Sequence, residues 1–265
     1  MTQRTKTDVK KVSENDLSYL TPFIEEDTST ESLRGYRVLS RASIVQAMSD
    51  KALKEEHGES AVVLQPGSNV IANPGESFLF VPLFHFTEWI VWADRRDQNS
   101  PAIIERSFDP ASEVARKSRN ADSRMEIYSG GPQSDPFKKR HVENINFAGV
   151  LYNHPTLGMM PLSLTFSKGE FFQGQNFASA CMNRRIGNGS APLWSQVWSF
   201  SSSLRDKGER HWYGFNFKNP EEPYISKDDV ENFRGLHEQL KTEFDSKKLS
   251  VNVEEVSSAT ETEEF

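Results

Sequence analysis

The run Ser77–Trp92 constrains this chain more than any other stretch. It reads Ser-Phe-Leu-Phe-Val-Pro-Leu-Phe-His-Phe-Thr-Glu-Trp-Ile-Val-Trp. Aromatic and β-branched side chains fit a pleated, half-buried surface. The run is about three times the length of a usual strand, and Pro82 within it has no N–H to give to a ladder. One long bent strand, or two strands meeting at a kink near Pro82, is therefore expected. Residues 102–108 (Ala-Ile-Ile-Glu-Arg-Ser-Phe) read as its antiparallel partner across the polar turn 94–101.

Residues 109–142 are charged and turn-rich around Gly130-Gly131-Pro132, and read as an excursion out of the sheet. Within it, Asp109 or Ser112 caps a short helix through Ala115 and Lys117. Strands resume at 144–152 and 161–166; in the second, Leu162, Leu164 and Phe166 alternate with Ser163 and Thr165. The spacing then predicts a helix over 170–186, with Phe171, Ala178, Cys181, Met182 and Ile186 on one face. Gly187-Asn188-Gly189 supplies its stop. Strands at 193–204 and 210–217 form a hairpin around 205–209. A final amphipathic helix starts at Ser226, with Asp229 in a variant capping box and an apolar stripe of Val230, Phe233, Leu236, His237, Leu240 and Phe244. Residues 43–53 read as one further short helix.

These elements give a mainly β fold with α elements, an α+β chain. A flexible region covers 1–35, a domain covers 36–245 with its insert at 109–142, and a disordered acidic tail covers 246–265. Strands, then a helix, then a two-strand hairpin is the order of an OB-fold barrel, whose helix lies between the third and fourth strands. The long bent strand would be the first, because a strand shared across a barrel must bend.

Catalytic patterns are missing from the sequence. Gly130-Gly131-Pro132 is followed by no Lys-Ser/Thr, so it is not a phosphate loop. No Gly-x-Ser-x-Gly elbow occurs. His57, His85, His141, His154, His211 and His237 have no metal-ligand spacing among themselves or with Cys181. The single cysteine excludes an internal disulfide and a Cys-rich zinc site. Asp228-Asp229 sits at a helix start, where the dipole accounts for it. The reading is a non-enzyme with no cofactor. No apolar run is long enough to span a membrane, and Met1-Thr2-Gln3-Arg4-Thr5-Lys6 opens no signal peptide. A soluble protein of the cytoplasm is expected.

Aromatic and basic residues are what remain. Trp194, Trp198 and Phe200 lie two or four apart in the strand 193–204, so they share one face. Trp212 and Tyr213 lie in the next strand. Around them stand Arg184-Arg185, then Arg205, Lys207 and Arg210 in the hairpin, and Lys138-Lys139-Arg140 ahead of a strand. A cationic groove with ring faces is what single-strand nucleic-acid binding needs, each stacked base contributing about 1–3 kcal/mol. At least one of Trp194, Trp198 and Trp212 is expected to be exposed.

The chain closes on Glu254-Glu255-Val256-Ser257-Ser258-Ala259-Thr260-Glu261-Thr262-Glu263-Glu264-Phe265. Net charge is -7, and five of the negatives lie here, which leaves about -2 for the rest. Low hydrophobicity with one sign of charge cannot offset ordering entropy, so the tail is expected to be disordered. It resembles the acidic tail of bacterial and phage single-stranded DNA-binding proteins, which ends in Phe and docks replication partners. The resemblance implies a protein that coats single-stranded DNA in phage replication or recombination. It also implies that Glu261, Glu263, Glu264 and Phe265 recruit replication or recombination proteins; a homo-oligomer is compatible with it. The alternative is a non-enzymatic virion or host-interaction protein with an acidic docking tail.

Overall fold

The computed structural model describes residues 37–93, 102–119, 126–129 and 139–251. The expected tail residues Glu261, Glu263, Glu264 and Phe265, the region 1–35 and Lys138 lie outside them. The first elements are β1 (Arg37–Ile44), α1 (Lys51–His57), β2 (Val62–Gln65), β3 (Val70–Ala72), β4 (Ser77–Trp92), β5 (Ile103–Ser107), α2 (Glu113–Arg119) and β6 (Glu126–Ser129). After these come β7 (Lys139–His154), β8 (Gly158–Ser167), α3 (Phe171–Asn183), the short β9 (Arg185–Ile186) and β10 (Gly189–Ser190), β11 (Trp198–Lys207), β12 (Arg210–Lys218), α4 (Val230–Asp245) and β13 (Leu249–Val251).

The long apolar run is one strand, as its composition demands, and its bend is a bulge. Pairing with β7 slips one residue between Pro82 and Phe84. Before the slip, Phe78 and Phe80 enter one core while Val81 and Leu83 enter another; after it, Phe84 and Phe86 also enter the second. The adjacent residues Leu83 and Phe84 thus share a face, which a regular pleat forbids. Nδ1 of His237 in α4 donates to the Leu83 carbonyl at 2.9 Å, so this carbonyl at the bulge has a partner.

Each core has its own helix. On one face α3 sets Phe177 among Phe147, Phe200, Phe217 and Trp198, with ring centroids 4.6, 5.0, 5.1 and 5.4 Å away. Gly174 lets the helix sit this low: a Cβ there would lie 2.7 Å from Cβ of Phe166. On the other face α4 buries Phe233 and Leu240 against Val81, Leu83, Ala148 and Val150. The stripe expected for α4 is the one observed, and Ser226 caps the 3₁₀ turn Lys227–Asp229 that leads into it by accepting from the Asp229 N–H at 3.3 Å.

The sheet runs in the order β12-β11-β4-β7-β8-β1-β2-β3, with β13, β5 and β6 added beside β1, β4 and β7. It is mixed: β1 pairs in parallel with β8 and β13, and the other pairs are antiparallel. Its path is not closed into a barrel, which corrects that part of the expected fold. The edge of β12 is instead met by a side chain. Gln46 donates to the Tyr213 carbonyl and accepts from the Tyr213 N–H, both at 2.8 Å, as a strand residue would. At β3, His154 contributes Nε2–H to the Ile71 carbonyl at 2.8 Å while its Nδ1 accepts from the N–H groups of Thr156 and Leu157. These contacts fix one neutral tautomer.

Four local expectations are corrected. Residues 43–53 are not one helix, because Ser43 and Ile44 complete β1 and α1 starts only after Asp50. The helix expected to 186 ends at Asn183, where Arg184 turns extended. The strand expected from 193 begins at Trp198, since Leu193–Ser195 is a 3₁₀ turn behind Pro192. Leu249–Val251, assigned to the acidic tail, pairs with β1 and buries Leu249.

Phe177→Ala should destabilise the fold by about 3–5 kcal/mol, because it empties the centre of a ring cluster. A thermal melt shifted by less than a degree or two would contradict that placement. Gln46→Ala removes two hydrogen bonds and should cost about 1–3 kcal/mol, read in the same melts.

Candidate functional site

The β11–β12 hairpin carries the densest group of expected site residues. Lys207 and Arg210 pair with each other at its tip, where Gly208 takes a positive φ of 66°. Lower down, Arg205 and Trp212 face one another across the pair. Both reach Glu170, which precedes α3: Nε of Arg205 lies 3.2 Å from its Oε1, and Trp212 Nε1–H donates to the same oxygen at 3.0 Å. Arg205 also donates to the Phe215 carbonyl at 2.8 Å. Two glycines make room for the group. A Cβ on Gly214 would occupy the Glu170 carboxylate, and one on Gly169 would lie 2.9 Å from the Trp212 ring. The hairpin is thereby clamped to the start of α3.

A second group forms behind α3. Trp198 is 4% exposed, and its Nε1–H donates to Gln196 Oε1 at 3.2 Å. Arg184 stacks over the Trp198 ring with its guanidinium carbon 3.6 Å from the centroid. It donates to the carbonyls of Val197 and Pro223 at 2.9 and 2.7 Å and to Asn219 Oδ1. Burial lowers its pKa from the usual arginine range. Beside it, burial pushes the Cys181 thiol up to about 12, so this cysteine stays a protonated, inert core residue.

The structure thus joins Arg184 to Trp198 and Arg205 to Trp212, but each pair is spent on internal contacts. Trp198 is a core residue, not a stacking platform. Trp194 and Trp212 are half-buried, so none of the three tryptophans is fully exposed, contrary to expectation. Trp194 packs against the α4 core because its 3₁₀ turn removes it from the strand face of Trp198. Tyr213 is half-buried against the α3 core. Arg185 is exposed; its side chain donates to Ser190 Oγ at 3.2 Å, and its carbonyl accepts from the Tyr224 hydroxyl at 2.7 Å. Lys139 and Arg140 open β7 beside Trp92, at the end of β4 opposite to its pairing with β11.

Sequence reasoning missed a polar floor on the α4 side of β4, β7 and β8. Glu88 is 1% exposed and pairs with Arg106; Nδ2 of Asn144 and of Asn146 reach its Oε2 at 3.2 and 3.4 Å. Thr165 donates to Asn146 Oδ1 at 2.7 Å. The Asn144 Oδ1 atom is buried and has no hydrogen-bond partner among the described residues. The signal was present as alternation, in Asn-Ile-Asn-Phe of β7 and Ser-Leu-Thr-Phe-Ser of β8. Among the described residues no three His, Cys, Asp or Glu side chains are placed to hold a metal ion, and no helix is long and apolar enough to cross a membrane.

Trp198→Ala and Arg184→Ala should each lower the melting temperature strongly, the first by about 3–5 kcal/mol of stability. An unchanged melt with either substitution would return these residues to the surface role they were expected to have.

The chain was compared with known proteins. Neither the curated proteins nor the solved structures give a match. Residues 31–243 match the family described as Pam3 phage gp34-like protein. That span takes in the sheet from β1 to β12 and almost all of α4, so the chain belongs to the Pam3 phage gp34-like protein family and is a phage protein.

Proposed function

We propose that this phage protein binds single-stranded DNA without sequence preference, on an OB-type scaffold, and recruits replication or recombination partners through its acidic tail. The observation that carries the reading is the strand connectivity. The consecutive strands β8-β7-β4-β11-β12 stand side by side, and α3 lies between β8 and β11 in the chain. An OB-fold has this arrangement, a partly open five-stranded Greek key with its helix after the third strand. β4 takes the place of the long first strand.

In OB-folds the face of the second and third strands binds the nucleic acid, flanked by the loops after the first and fourth strands. By that correspondence the second and third strands are β7 and β8; Asn144, Asn146 and Ser163 on them are buried, so contacts with DNA are assigned to the flanking loops. The flanking loops are the connection 93–138 and the turn Gly208-Glu209. Lys207 and Arg210 at that turn, with exposed Arg185, are the cations assigned to phosphates. Trp212, bonded to Glu170, and Tyr213, packed against the α3 core, are half-buried, so only their exposed parts are assigned to bases. Glu261, Glu263, Glu264 and Phe265 supply the docking motif, and the tail's carboxylates compete with DNA for the cations at high effective concentration.

One observation favours the rival reading, a virion or host-interaction protein. Arg184 and Arg205 are engaged inside the fold, and the chain before the tail carries only about -2 of the net -7, with no excess of cations. Binding of labelled oligo-dT, read by fluorescence anisotropy, separates the two. The DNA-binding reading expects saturable binding that Lys207→Glu with Arg210→Glu weakens at least tenfold, and that truncation before Glu254 strengthens at low salt. No binding by the intact, folded chain would leave the rival in possession.

A further inference from the structure

The helix α3 presents to solvent a face unlike the rest of the protein. Its sequence, Phe-Phe-Gln-Gly-Gln-Asn-Phe-Ala-Ser-Ala-Cys-Met-Asn, contains no charged residue, whereas 26% of the whole chain is charged. Phe171, Gly174, Phe177 and Cys181 are buried against the sheet. The opposite side carries Phe172, Gln175, Asn176, Ser179, Met182 and Asn183, all exposed. Phe172 and Met182 are each 63% exposed, and Ile186 just past the helix is 53% exposed. A solvated helix face is normally polar and charged. An uncharged strip with Phe and Met, ending at Glu170 and Arg185, has the composition of an interface core with a charged rim.

We infer that this face of α3 is a self-association surface, and that its occupant is α3 of a second copy of this chain. Charge decides the choice of partner. Two chains of net charge -7 repel, and 26% of the residues of each are charged. A face without charges meets its own copy with no like charges set together. A two-fold contact places each residue against the same patch of its partner. Gln175 and Asn176 each carry both a donor and an acceptor amide group, so each can bond a polar group of the same face across such an axis. Phe172 of one copy would lie toward Met182 of the other, since the two helices run antiparallel.

The contact is modest in size. Thirteen residues span about 20 Å of helix, so the strip covers a few hundred Å², below the roughly 800 Å² per partner of a standard stable interface. The dimer is therefore expected in the micromolar range and not as an obligate one. This inference is independent of DNA binding.

The experiment uses the full chain with Ser179→Cys, near the middle of the strip. The native Cys181 is 1% exposed, so the introduced thiol is the reactive one. Mild oxidation at tens of micromolar protein should convert most of this variant into a disulfide dimer on a non-reducing gel. The same cysteine placed on α1 as Glu55→Cys should convert at least tenfold more slowly. Adding Phe172→Glu and Met182→Glu to Ser179→Cys should abolish the fast conversion while circular dichroism stays unchanged. If Ser179→Cys cross-links no faster than Glu55→Cys, the surface is not a homodimer contact. If it does so only when single-stranded DNA is added, the DNA and not α3 brings the copies together, and the inference is overturned.

Discussion

The slip between Pro82 and Phe84 is the feature on which the rest of the structure depends. A regular strand gives its odd residues to one face and its even residues to the other. With the slip, Leu83 and Phe84 both enter the α4 core. Phe78 and Phe80 remain in the α3 core, so one strand supplies aromatic side chains to both sides of the sheet. Pro82, which cannot give a ladder bond, sits where the ladder is already interrupted, and His237 of α4 satisfies the Leu83 carbonyl. Helix α4 is thus tied by a hydrogen bond, as well as by burial, to the point where the strand changes register.

The same logic accounts for how cations are used. Arg184 and Arg205 look from the sequence like solvent-facing partners for phosphate. Each instead ties separate segments together, Arg184 through carbonyls of Val197 and Pro223 and the ring of Trp198, Arg205 through Glu170 and the Phe215 carbonyl. A guanidinium offers five donors in a planar fork and can satisfy several backbone acceptors while stacking on a ring, a combination a lysine ammonium lacks. Two of the cations that the sequence offers to a ligand are thus engaged inside the fold.

Much of the fold was legible in the residues. Strands β4, β5, β8 and β12 and helix α4 stand within a few residues of where alternation and helical spacing put them. What was not legible has physical causes. Strand β1 lacks a clean alternation because it pairs with β2, β8 and β13 in different registers, and a parallel neighbour from far along the chain leaves no local mark. Pro192 and the buried Gln196 turned the approach to β11 into a 3₁₀ turn, and so separated Trp194 from Trp198. For the candidate site, residue types were readable but exposure was not. A tryptophan at strand spacing is the same letter whether it faces a core or a base, and only the packing of Phe177 and Arg184 decides it for Trp198.

The central claim is that this sheet serves a single strand of DNA. Equilibrium competition tests it most directly, with unlabelled oligo-dT and a duplex of equal length displacing labelled oligo-dT from the full chain at about 50 and 200 mM salt. The account predicts that the single strand competes far better than the duplex at both salts. It also predicts that affinity falls with salt by a log-log slope of about -0.7 for each phosphate neutralised. Equal competition by the duplex, or an affinity indifferent to salt, would contradict it.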